Sequence, residues 1–166
     1  MYNMKLIKES IEFKRGEDPK KSLEVGLYSK IKKWMNEMGV EEESYIINSD
    51  FTINLIKYFS WLIDLGGASL NKPIEKFPEF IKFNIAHKGA DFSRSGFFYL
   101  NGFPKIIKGD FYLDGNNIIS LDGFPEEVEG NIFFHNNKGN LKPTEEMIRA
   151  ICKIPADSWI ITDELN

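Results

Sequence analysis

One internal duplication constrains this chain more than any other feature. Residues 100–116 align with residues 121–137 at an offset of 21: Leu100, Gly102, Phe103, Pro104, Gly109 and Asn116 recur as Leu121, Gly123, Phe124, Pro125, Gly130 and Asn137. Ile107 and Phe111 are matched by Val128 and Ile132. A unit this short cannot bury its apolar face alone, so its copies must stack on one another. Upstream the pattern weakens and two registers compete. Phe77-Pro78 aligns with Phe103-Pro104 at an offset of 26, and Asp91-Phe92 with Asp110-Phe111 at an offset of 19.

Within the unit each position has a chemical reason. Gly102 and Gly123 permit a positive φ at a turn, and Pro104 and Pro125 fix the chain direction leaving it. Phe103 and Phe124 then enter the core. Over Gly109 to Asp114 the period of two puts Phe111 and Leu113 on one face and Asp110, Tyr112 and Asp114 on the other. In the next copy Ile132 and Phe134 oppose Asn131, Phe133 and His135. Parallel strands about 4.8 Å apart would bring Asp110 beside Asn131, Tyr112 beside Phe133 and Asp114 beside His135. These six residues are the candidate protein-binding face, with an exposed aromatic row at its centre. Asn116 and Asn137, at the strand exits, are placed to satisfy neighbouring backbone groups.

The flanks read as caps. Asp18-Pro19 can open a helix whose stripe is Leu23, Leu27, Ile31, Trp34 and Met38, ending at Gly39. Gly26 costs such a helix about 1 kcal/mol, which favours a start nearer Ser29 with an ordered loop over residues 19–27. Lys5 to Arg15 reads as a short element, and Tyr45 to Asp64 as one or two strands with turns at Asn48 to Asp50 and Gly66-Gly67. After the last copy Thr144 can cap a short helix bearing Met147, Ile148, Ile151 and Cys152, which Pro155 stops. The expected fold is α+β: a short leucine-rich-repeat-like parallel β-solenoid capped by an N-terminal helix and a C-terminal helix. One domain spans 1–166, with a helix and strand cap over 1–66, the repeat array over 67–142 and a helical cap over 143–166.

Composition disfavours several chemistries. The single cysteine, Cys152, excludes an internal disulfide and lies on an apolar helix face, so it reads as core and not as a nucleophile. His87 and His135, the two histidines, lie outside metal spacing of each other and of Cys152. Glu126-Glu127 and Glu145-Glu146 fall at a spacer and a helix start, where solvated carboxylates are ordinary. Gly66-Gly67 and Gly16 do not make a phosphate cradle. The expectation is therefore no catalytic residue, no cofactor and no metal. The net charge is −4, with residues 1–33 carrying nine basic against five acidic side chains and the remainder carrying −8. Nucleic acid is thus disfavoured as a partner for the bulk of the chain, although Lys14, Arg15, Lys20, Lys21, Lys30, Lys32 and Lys33 form a basic segment that leaves a nucleic-acid-binding module as an alternative. The opening residues lack a secretory pattern, and Lys57, Asp64 and Lys82 break the apolar stretches, so no membrane association and a cytoplasmic location are expected.

Ser120 to Pro125 and Gly109-Asp110-Phe111 resemble the short leucine-rich-repeat-like proteins of tailed bacteriophages. The resemblance covers about residues 70–142. Phe13 to Ser22 is similar to an N-terminal stretch of many of these proteins. The resemblance implies a phage-encoded protein in the host cytoplasm. The functional expectation is a noncatalytic scaffold, an accessory protein that binds and modulates a host protein, including one of bacterial immunity. A virion structural or assembly component is the alternative from another class.

Overall fold

The computed structural model describes residues 19–60 and 74–163, with side chains from residue 23. The expected element over Lys5 to Arg15, residues 14–18 of the basic segment and the Gly66-Gly67 turn lie outside the described residues.

The first helix, α1 (Pro19–Glu37), is continuous through Gly26. The loop expected over residues 19–27 is helical instead. The cost of one exposed glycine is outweighed by docking of the helix through Ile31, Trp34 and Met35, all buried. The Trp34 ring meets Phe77 edge-on at 5.9 Å. Leu23, first residue of the expected stripe, is exposed.

Among the described residues, a 3₁₀ turn (Glu42–Ser44) leads into the first of ten short strands. Strands β1 (Tyr45–Ile47) and β2 (Ile53–Leu55) form an antiparallel hairpin closed at the Asn48 to Asp50 turn, with Tyr45 opposite Leu55. Next come β3 (Phe59–Ser60), β4 (Phe83–Ala86), β5 (Ala90–Asp91), β6 (Ile106–Ile107), β7 (Phe111–Tyr112), β8 (Glu127–Val128) and β9 (Ile132–Phe133). Helix α2 (Glu145–Ile151) follows, capped by the Thr144 hydroxyl, which accepts from Met147 N at 3.3 Å, and the last strand is β10 (Ile160–Ile161). Among the described residues, no helix is long and apolar enough to cross a membrane.

The strands form two five-stranded sheets, here called A (order β1-β2-β4-β6-β8) and B (order β10-β9-β7-β5-β3). Every pairing except β1 with β2 is parallel. The two copies do lie strand on strand: Ile106 faces Glu127 in sheet A, and Phe111 faces Ile132 in sheet B, both at the 21-residue offset. The same offset continues upstream, with Ile85 opposite Ile106 and Ala90 opposite Phe111. Neither competing upstream register is the pairing one, so Asp91 faces Tyr112.

This architecture corrects the expected solenoid with a helix at each end. Among the described residues the chain forms an α/β layered fold of two helices and two five-stranded sheets. Each copy contributes two strands, one to each sheet, where sequence reading finds one. The helices do not stand at both ends, because α2 lies between β9 and β10. Beyond α2, Lys153 bridges to Glu127 at the edge of sheet A, and β10 extends sheet B beside β9. Strand edges expose unpaired N–H and C=O groups, and a parallel neighbour satisfies them as a seven-residue helix cannot. Phe134 N donates to Ile161 O and Ile132 N to Trp159 O, both at 2.8 Å.

The core is dominated by phenylalanine. Phe103 packs on Phe92 at 4.6 Å, on Phe97 at 4.9 Å and on Phe77 at 5.0 Å, while Phe124 meets Phe111 at 5.8 Å and Phe134 at 6.4 Å. Such ring pairs contribute about 0.5–1.5 kcal/mol each beyond the area they bury. At the turns, Gly102 and Gly123 take φ of 88° and 85°. A Cβ at Gly102 would lie 2.5 Å from Ile81 O, so both the conformation and the close approach require glycine.

Candidate functional site

The pleat of sheet B sends alternate side chains outward, and the parallel register lines them up in columns. One column runs Ser60, Asp91, Tyr112, Phe133, Ile161. Its centre is a pair of rings: Tyr112 and Phe133 stack with centroids 4.5 Å apart and planes 2° from parallel. Both are partly exposed. Beside them, Asp110 Oδ1 accepts from Asn131 N at 2.7 Å and Asn131 Nδ2 at 3.1 Å, and Tyr112 Oη lies 3.4 Å from Asp110 Oδ2. Asn131 Oδ1 in turn accepts from Trp159 N at 2.9 Å, tying β10 to the face.

Of the six residues read from the sequence, Asp110, Tyr112, Asn131 and Phe133 therefore form one contiguous patch. Asp114 and His135 follow on the same edge. The Asp114 carboxylate sits 3.9 Å from Arg94 Nε, and Nδ1 of His135 is buried without a hydrogen-bond partner.

Sequence reasoning missed three members. Trp159, 70% exposed, stands beyond Asn131 at one end, and Tyr58, 52% exposed, near Asp91 and Asp110 at the other. Asp91 sits between Ser60 and Tyr112, its Oδ1 accepting from Ser93 N at 2.9 Å and Ser93 Oγ at 2.6 Å. Only the Trp159-Ile160-Ile161 run, apolar and β-prone after Pro155, signalled an extra strand.

The field on this face is negative. Burial first, and then the charges of Asp110, Asp91 and Asp114, raise the Tyr112 hydroxyl above the ordinary tyrosine range. Burial and the same Asp91 and Asp110 do so for Tyr58. Cys152, by contrast, is 4% exposed, and burial pushes its thiol up to about 11. It stays protonated at neutral pH and packs as a small apolar group.

On the other side of the molecule a cleft of about 560 Å³ runs below the Gly102 and Gly123 turns. On its rim Lys105 pairs with Glu126 at 3.5 Å, and Lys76, Glu79 and Lys82 also line it. On α2, Met147 and Ile151 are half exposed, although the sequence places them on the packed face with Ile148 and Cys152.

No protein-family model, curated protein or solved structure matches this chain. The functional reading therefore rests on the face itself.

Proposed function

We propose that this chain is a noncatalytic protein-binding module that engages another protein through the outer face of sheet B, centred on Tyr112 and Phe133. One observation carries the reading: two rings stack parallel and partly uncovered, with Trp159 exposed at one end of the face and Tyr58 at the other. Aromatic side chains left in water are costly, lose little entropy on binding and are favoured interface anchors. The resemblance of the repeat to phage proteins supplies the setting. In it the chain is an accessory protein acting in the host cytoplasm on a host target, with bacterial immunity as the candidate class.

The test is capture of a partner from bacterial lysate by the whole chain and by a Tyr112→Ala, Phe133→Ala variant, with thermal unfolding measured in parallel. The rings touch each other on a solvent-facing side, so the variant should lose about 1 kcal/mol of stability or less. Recovery of the partner should fall about tenfold or more. Undiminished capture by the folded variant would move the interface elsewhere.

A further inference from the structure

Resting on that reading, we propose that the partner presents a positively charged surface and inserts an arginine side chain on the side of Tyr112 away from Phe133, between Asp91 and Asp110. Three observations lead there. First, among the described residues Phe133 is the one ring stacked on Tyr112; on the side away from it, the next position in the column is Asp91. The stack of flat groups thus stops one strand short, at a carboxylate, and the Tyr58 ring, which reaches over the buried Gly89 to within 3.5 Å of where a Cβ would stand, walls the slot on its Asp110 side. A planar guanidinium placed there continues the stack at the strand spacing and meets a carboxylate edge-on.

Second, the charges decide the sign of the partner. Among the described residues, Arg94 alone is ion-paired to Asp91, Asp110 or Asp114, at 3.9 Å from Asp114, and it is itself largely exposed. Any protein that covered Tyr112 and Phe133 would also take Asp91 and Asp110 out of water. A neutral or acidic surface would leave those carboxylates unpaired, whereas a cationic one compensates them. Third, the existing hydrogen bonds leave acceptors in place: Asp91 binds Ser93 through Oδ1 alone, so Oδ2 remains for the partner. Lysine satisfies the charge but not the flat geometry, which favours arginine.

The experiment is a titration of the full chain, followed by amide chemical shifts, with a short Gly/Ser peptide carrying one central arginine. Matched peptides carry lysine or the neutral isostere citrulline. The arginine peptide should perturb Asp91, Asp110 and Tyr112, and the citrulline peptide should bind about tenfold more weakly. Asp91→Asn, which keeps the Oδ1 acceptor for Ser93, and Tyr112→Leu should each weaken the arginine peptide by a similar factor. Equal binding of citrulline or lysine, or shifts confined to other surfaces, would overturn the proposal. Lysate capture separates the two levels. If Asp91→Asn retains full capture while Tyr112→Ala, Phe133→Ala loses it, the arginine inference fails and the binding face stands; if both retain it, the face itself is wrong.

Discussion

Replacing Gly130 with alanine should remove about 3 kcal/mol or more of folding stability, a large share of the about 5–15 kcal/mol typical of a domain. The reason is distance. A Cβ at Gly130 would collide with the Gly109 carbonyl carbon and lie 2.6 Å from both Asp110 N and Asp110 Oδ1. Two of those atoms are backbone, and the glycines are joined by a hydrogen bond from Gly130 N to Gly109 O at 3.1 Å, so relief requires prising the two copies apart. The displaced segment carries Asp110 and Asn131, so the binding face should loosen together with the fold. Gly26→Ala provides the opposite sign. Nothing lies within 4 Å of a Cβ there, the residue is exposed in α1, and alanine should stabilise by about 0.5–1 kcal/mol. Urea unfolding reads both, as a fall and a rise in midpoint at constant slope. A neutral Gly130→Ala would mean that the copies are not in close backbone contact at this level.

Asn116→Ala should cost about 3 kcal/mol, and Asn137→Ala about half as much. Asn116 is fully buried. Its Oδ1 accepts from Ser95 N and Phe97 N, each at 3.1 Å, and its Nδ2 donates to Phe92 O and Leu113 O, each at 2.9 Å. Four backbone groups of neighbouring turns thus depend on one amide, and each left unpaired inside the protein costs about 1–3 kcal/mol, less whatever an entering water restores. Asn137 repeats the donor half of this arrangement, to Leu113 O at 3.3 Å and Phe134 O at 2.7 Å, but its Oδ1 has no partner. Thermal unfolding should fall by roughly 6–12 °C for Asn116→Ala and by clearly less for Asn137→Ala. Equal losses at the two sites would contradict the difference in bonding seen here.

The duplicated segments were legible because their special positions are chemically forced. Glycine at the Gly102 and Gly123 turns, phenylalanine next to it and asparagine at the strand exits each have few substitutes, so the 21-residue offset survives between residues 100–116 and 121–137. Upstream the same roles are filled differently. Ala90 stands opposite Phe111, and Ser95, which meets Asn116, carries no amide side chain, so the motif fades although the pairing does not. The other strand of each copy was invisible for another reason: Ile106–Ile107 are both apolar while the matching Glu127–Val128 pair a charge with an apolar residue, so the copies share no alternation there. A second sheet, and with it the layered fold, could not be read. At the candidate site, alternation across Asp110, Tyr112 and Asp114 sufficed to find the ring pair. Trp159 escapes because β10 belongs to no copy of the motif, and Asp91 because neither competing upstream register is the paired one, its match to Asp110 lying two residues off. The stretch before Ser29 is helical because the docking of Ile31, Trp34 and Met35 outweighs the low helix propensity of Gly26, a tertiary effect that local propensity does not carry.

A photoreactive phenylalanine analogue installed in place of Tyr112, and separately in place of Ile46, which is exposed on β1 of sheet A, tests the binding face most directly. Irradiation in bacterial lysate should join one protein to the chain from position 112 and none from position 46. Crosslinking from position 46 alone, or from both positions equally, would contradict the assignment of sheet B as the recognition surface.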